Sequence, residues 1–212
     1  MYIAPDALLL ISSHCPHCAT VLAAMTDLVK QGVVGQLNVV NVERHPEVAE
    51  AHHVRTVPWL QIGGFEFTGA HSTAELKAWA EKAKSEEGWA DYFHQLLKDG
   101  RATHVVEMVQ AAPERLAAIL PIIANPEASL NVRLGAGVLL EEFAGSAALK
   151  ALIPRLGKLS GHADPRVRAD ACHYLSLTDD PAAIPYLEAR RSDEDAEVRE
   201  IVRESLAALA PA

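Results

Sequence analysis

"LLLISSHCPHCATVLAAMTDLVKQG", residues 8–32, decides the reading of this chain. Residues 7–12 form a short apolar run, the length and composition of a buried strand. Beyond it, Val21, Leu22, Met25, Leu28 and Val29 fall at i, i+1, i+4, i+7 and i+8, one face of an amphipathic helix that Gly32 ends. Two cysteines stand where strand gives way to helix. With Cys15 at the N-cap, Pro16 falls at N1, where its missing N–H does no harm and its fixed φ suits the helix. Cys18 then lies about one turn on, within disulfide range. Unpaired N–H groups and the positive end of the helix favour a thiolate at Cys15, and His17, when protonated, adds a cation beside the sulfur. A lower thiol pKa makes a better leaving group and a more oxidising disulfide.

Three readings of "HCPHC", residues 14–18, stay open on the residues alone. The first is a redox pair. The second is a metal site built from His14, Cys15, Pro16, His17 and Cys18, since thiolate and imidazole suit Zn or Cu(I). Neighbouring residues rarely converge on one ion, however, and no second CxxC or His pair at finger spacing completes a tetrahedral set. The third is a pair of inert thiols at a helix start.

Outward from this segment, "QLNVVNVE" (36–43) reads as a second strand and "HPEVAEAHHV" (45–54) as a short helix opening at Pro46. "TVPWLQIGGFEFTG" (56–69) reads as two strands joined at Gly63-Gly64, a strong hairpin signal. "STAELKAWAEKAK" (72–84) closes the unit as a helix, with Ser72 or Thr73 as cap and Glu75 in the first turn. The order β-α-β-α-β-β-α gives an α/β unit with a mixed four-stranded sheet covered by helices. His52 and His53 read as a solvated helix end, His71 as a surface-loop residue and Trp59 as packing at the core or rim.

"CPHC" at the mouth of the first long helix, "TVP" opening the hairpin and "GGFEFTGA" within it together resemble the thioredoxin and glutaredoxin superfamily, the small minimal thioredoxins above all. The resemblance covers residues 1 to about 84. It implies thiol-disulfide exchange by Cys15 and Cys18 with Pro16 and His17 between them, and no bound cofactor beyond the redox-active disulfide itself. It further implies a cis peptide before Pro58, packed against the cysteine pair, with substrate backbone docking at Val57 in the Thr56-Val57-Pro58-Trp59 segment. "PH" between the cysteines is the dipeptide of the strongly oxidising periplasmic members, where the reducing thioredoxins carry "GP". Many thioredoxins place a buried carboxylate six residues before the first cysteine, and often Trp just before it. Here those positions are Leu9 and His14, which fits a specialised exchange partner better than a general reductase. "GAHST" resembles a glutathione-gripping segment only in part, at Gly69 and Thr73.

At "KSEEGW" the strand-like runs stop and alanine, leucine and charge take over, which places a boundary giving domains 1–86 and 87–212. Val132-Arg133, Val167-Arg168 and Val198-Arg199 recur within similar helical segments, at intervals of solenoid length. "DPRVRADACHYLSL" and "DAEVREIVRESLAAL" resemble HEAT-like helical repeats over about residues 100–210. "WADYFHQLLKDG" and "RATHVVEMVQAA" supply a first, degenerate pair, for about four helix pairs in an all-α solenoid. Such pairs bury their apolar faces only by stacking. Asp164, Asp195, Arg133, Arg168 and Arg199 read as a structural ladder between repeats and Cys172 as a buried core thiol. Arg190-Arg191 reads as a turn neutralised by "SDEDAE".

Composition narrows the functional classes. The 212-residue chain is 50% hydrophobic with a formal net charge of −9, and both halves are acidic, which argues against a nucleic-acid grip. No apolar run approaches the length that spans a bilayer, and the start lacks the basic and apolar regions of a signal peptide, so the expected location is the cytoplasm. The three cysteines do not make a disulfide scaffold. The expectation is a thiol-disulfide oxidoreductase acting on protein disulfides, whose helical repeats dock a specific client carrying a disulfide or thiol. Its reductant or oxidant is unknown. A non-catalytic adaptor working through the helical surface, and a metal-handling protein using residues 14–18, are the alternatives.

Overall fold

The computed structural model describes residues 4–83 and 85–210. Residues 1–3, Lys84 and 211–212, which the expected domain limits include, lie outside that range. The chain divides into two compact units, Met1–Trp89 and Ala90–Ala212.

The first unit runs β1 (Ala7–Ile11), α1 (Cys18–Lys30), β2 (Leu37–Asn41), α2 (Pro46–Ala51), β3 (Trp59–Ile62), β4 (Phe65–Thr68) and α3 (Thr73–Lys82). Its sheet has the order β2-β1-β3-β4, with β1 and β2 parallel and the other pairs antiparallel. β1 is central, which is why Leu9 and Leu10 are both fully buried although they point to opposite faces. β2 is an edge strand. Only half of its apolar signal is used, and Val39 stays exposed. The hairpin turns on Gly63 and Gly64, both at positive φ, the conformation glycine adopts without a Cβ penalty. α3 begins with a complete capping box in which Ser72 Oγ accepts from the Glu75 N–H and the Glu75 carboxylate accepts from the Ser72 N–H. α1 and α3 pack together, and Val21, Met25, Leu28 and Leu76 fill the core with Leu60, Ile62 and Phe65 of the hairpin.

The start of α1 corrects the expected helix register. Regular helix begins at Cys18 with His17 as N-cap, two residues later than the placement of Cys15 at the cap. Residues 15–18 make a tight turn in which the Cys18 N–H donates to the Cys15 carbonyl at 3.4 Å. No side chain accepts from the first-turn N–H groups. A cysteine sulfur is a weak acceptor, and this one is spent in a disulfide, so nothing anchors the helix earlier.

The second unit is all helical. α4 (Glu86–Lys98), which crosses the division between units, and α5 (Ala102–Ala111) form its first pair. A 3-10 helix (Pro113–Ile119) leads into α6 (Leu120–Ile123), followed by α7 (Leu130–Glu142). α8 (Ala147–Lys150) and α9 (Ile153–Leu159) precede α10 (Pro165–Ser176), and a 3-10 turn (Pro181–Ala183) with α11 (Ile184–Glu188) precedes α12 (Ala196–Ala208). Val132, Val167 and Val198 are all buried at equivalent places on α7, α10 and α12. A second beat runs beneath this one: Leu120-Pro121, Ile153-Pro154 and Ile184-Pro185 open the short helices, each with proline in the first turn, where it needs no donor.

Arginines tie one repeat to the next. Arg168 is buried and grips the buried Asp193 carboxylate with two nitrogens, at 2.9 and 2.8 Å, while its third nitrogen donates to the His162 and Ala163 carbonyls. Arg199 repeats the second half of this pattern on the carbonyls of Asp193 and Glu194. Arg133 pairs with Asp170 at 2.6 Å. Asp164 and Asp195 cap α10 and α12, whereas Ser129 at the equivalent place gives α7 no side-chain cap. At the turn 190–191, Arg191 pairs with Glu188 of its own helix end, and Arg190, whose Nε is buried without a hydrogen-bond partner, acts through space on Asp193 of "SDEDAE" as expected. The same acids serve elsewhere too, with Asp193 facing Arg168 and Asp195 capping α12.

Candidate redox site

Parallel pairing of β1 with β2 and antiparallel pairing with β3 set the site. β1 ends at Ile11, opposite Asn41 at the end of β2, and Leu10 lies opposite Trp59 at the start of β3. The loop carrying the cysteines and the segment ending in Pro58 therefore leave adjacent strands at the same edge of the sheet. Cys15 and Cys18 are joined in a disulfide with Cα atoms 5.5 Å apart. Their exposures differ: Cys15 is partly open to solvent, whereas Cys18, held in the first turn of α1, is only 4% exposed. Pro16 and His17 between them are exposed, as is His14.

The Val57–Pro58 peptide is cis, and Pro58 is buried. Its carbonyl accepts from the Gly69 N–H at 2.9 Å, which ties the segment to the end of β4. Thr56 is exposed and Val57 half-buried. Among the described residues the main chain of Val57 has no hydrogen-bond partner, leaving a donor and an acceptor free for an extended peptide. Trp59 is buried and covered by the ring of His52, with centroids 5.1 Å apart. His52 is therefore half-buried packing rather than the solvated helix end that the sequence suggests, while His53 is exposed at positive φ. His71 packs edge-on against Phe67 at 5.5 Å. Leu9, at the position where a buried carboxylate would sit, is wholly enclosed and offers no proton acceptor.

Two residues that the sequence reading passes over hold the loop before the cysteines. Glu43 Oε1 accepts from the Ser13 N–H at 3.2 Å, Asn41 Nδ2 donates to Ser13 Oγ at 3.2 Å, and the Glu43 N–H donates to Asn41 Oδ1 at 2.9 Å. The Ser13 side chain, with further help from the Ser13 N–H, His14 and Arg44, holds the Glu43 carboxyl below the usual carboxylate range. The register signal for this clamp lies in the parallel pairing of Ile11 with Asn41, which a linear reading does not supply. Among the described residues no group of three or more His, Cys, Asp or Glu side chains is arranged to hold a metal ion.

Comparison with known families matches residues 7–81 to the thioredoxin domain. Residues 116–207 match HEAT repeats. The chain joins a thioredoxin-like domain to HEAT-like repeats. No curated protein matches it. Within the thioredoxin-like domain the matched span encloses the disulfide, the cis-proline segment and the Ser13 clamp. The HEAT match begins at Leu116, inside the 3-10 helix, so α4 and α5 fall outside it. Among the described residues no helix is long and apolar enough to cross a membrane.

Proposed function

We propose that the protein is a thiol-disulfide oxidoreductase that acts on protein disulfides through Cys15 and Cys18, with the repeats of the 87–212 region selecting the client docked to the 1–86 region. The observation that carries this reading is the inequality of the two sulfurs beside an unpaired stretch of main chain: Cys15 is accessible, Cys18 is enclosed and Val57 is free. From the reduced state, the Cys15 thiolate attacks a client disulfide, forming a mixed disulfide and releasing one client thiolate, which takes up a proton. Cys18, deprotonated, attacks Cys15 Sγ, releasing the second client thiolate and restoring the Cys15–Cys18 disulfide. The client gains two electrons and two protons, and the pair loses them. Run backwards from the disulfide form, the same steps oxidise a client dithiol.

Thr56, Val57, Pro58 and Trp59 serve this chemistry by presenting the client backbone, and Pro16 and His17 by shaping the helix entry. No bound cofactor is needed, and we place the protein in the cytoplasm, where the sparse use of cysteine fits. A docking surface in cis raises the effective concentration of the pair at one disulfide. The test is Cys18→Ser: with the resolving thiol gone, mixed disulfides accumulate on Cys15 with a narrow set of proteins. No trapped adducts, with Cys15→Ser indistinguishable from Cys18→Ser, would overturn the redox reading, and a broad smear would overturn selective docking. Equilibration of the pair in graded dithiol buffers then gives the direction. A potential near −270 mV (about that of thioredoxin) assigns reduction, and one near −120 mV (about that of the strongest oxidants) assigns oxidation in another compartment.

A further inference from the structure

Helix α7 carries an apolar stripe on its outer face. Leu130, Leu134 and Val138 are 71%, 60% and 46% exposed and stand at i, i+4 and i+8, one above the next over about 12 Å of helix. The opposite face of α7 already supplies the core with Val132, Ala136, Leu139 and Leu140, so the stripe is surplus to the packing of the array. The other repeats show that the solenoid does not need it. Superposing the buried Val132, Val167 and Val198 places Pro165, Ala169 and His173 of α10, and Ala196, Glu200 and Glu204 of α12, at the stripe's three positions. Only α7 puts large aliphatic side chains there.

The charges around the stripe state what it meets. Glu141 and Glu142 follow Val138 by three and four residues, which continues the same face into the last turn of α7, and no basic residue stands in that turn. Two carboxylates there sit at the negative end of the helix, an unfavourable arrangement that a cation relieves. Exposed Glu127 lies just before the other end, Arg133, the cation within α7, is engaged by Asp170, and Arg166, which acts on Glu127 through space, is held by Asp164. A second copy of this chain is a poor occupant. A two-fold pairing of this face sets Glu141 and Glu142 against either Glu127 or themselves, so like charges meet.

We infer that the α7 stripe is the docking site for an amphipathic helical segment of a partner protein, with aliphatic side chains on Leu130, Leu134 and Val138 and a Lys or Arg pair over Glu141 and Glu142. This names the partner chemistry for the docking half of the proposed function and is independent of the redox half. The full-length protein, and separately its Cys15→Ser/Cys18→Ser form, is panned against a displayed library of random 16-residue peptides, with Leu134→Glu protein as counter-selector. Enriched peptides are expected to share aliphatic residues at helical spacing with Lys or Arg toward one end, equally in both cysteine states.

A synthetic copy of the most enriched peptide is expected to bind roughly ten-fold or more weakly to Leu134→Glu. It is also expected to lose affinity to Glu141→Lys/Glu142→Lys, which in turn regains a copy whose basic residues are replaced by Glu. Leu134→Ser serves in place of Leu134→Glu should the latter lower the melting temperature. The inference is overturned if no peptide survives counter-selection or if the survivors are acidic. It is equally overturned if the wild type sediments as a dimer that Leu134→Glu splits, or if phosphatidylserine vesicles bind through the stripe. Failure here with successful Cys18→Ser trapping would remove the docking site and leave the redox reading standing.

Discussion

Thiol chemistry in this chain is sorted by burial, residue by residue. In the reduced protein, alkylation by iodoacetamide at neutral pH should fall on Cys15 first and on Cys18 more slowly. Cys172 is fully buried, and enclosure pushes its thiol up to about 11, so it should stay unmodified until the chain unfolds. Peptide mass mapping over time checks the order, and early labelling of Cys172 would contradict it. Glu43 makes a second residue-scale prediction. Its carboxyl is held below the ordinary carboxylate range by Ser13, so the contact is present above the unfolded value and is lost as pH falls through the lower folded one. The Ser13 amide resonance should titrate with a midpoint below 4.5, the group's ordinary value, and Glu43→Gln should abolish that step.

At the level of single elements, what the sequence discloses depends on whether the signal is local. Gly63-Gly64, Ser72 with Glu75, and Pro46 at a helix start are each readable within a few residues, and the structure keeps each as read. The register of α1 is not local, because the disulfide and the weak capping power of cysteine decide it together. The clamp on Ser13 depends on which residue of β2 lies beside Ile11, and the ring of His52 on Trp59 depends on the path between α2 and β3. The proline beat of α6, α9 and α11 is visible in the letters, yet gains meaning only once the short helices are known to begin there. Ser72→Ala should lower stability by about 1 kcal/mol through loss of the cap. Gly157 on α9 lies under the ring of Tyr186, where a Cβ would collide with the ring atoms. Gly157→Ala should therefore cost about 1–3 kcal/mol by overpacking, measured by urea denaturation, while an unchanged midpoint would show that the ring swings away freely.

On the scale of the whole molecule, two architectures were legible because each has its own period: alternation and turns in the first unit, recurring Val-Arg in the second. The Arg168–Asp193 pair is enclosed on both sides and gives the array an electrostatic dependence. Asp193→Ala leaves a guanidinium enclosed without its carboxylate and should cost about 3–5 kcal/mol, whereas Arg168→Met/Asp193→Leu should cost much less. Arg168 holds the Asp193 carboxyl below its usual range, and Arg166 lowers that of Asp164 to about 2. Both contributions are complete above the unfolded value, about 3.9, and fade as pH falls through the folded ones, so acid should loosen the repeats below about pH 4. Melting followed by circular dichroism across that range tests it, and a flat profile down to pH 2 would count against it.

Asp193 is also where two repeats converge, its carboxylate taken by Arg168 and its carbonyl by Arg199. Solenoids are commonly regarded as extendable, a unit more or a unit fewer, because each repeat answers only to its neighbours. This one cannot be shortened at α12 so freely. Trimming at Ser192 would remove both the carboxylate that Arg168 holds and the helix packed on α10, so the α12 repeat serves the one before it as a counter-ion as well as a cover.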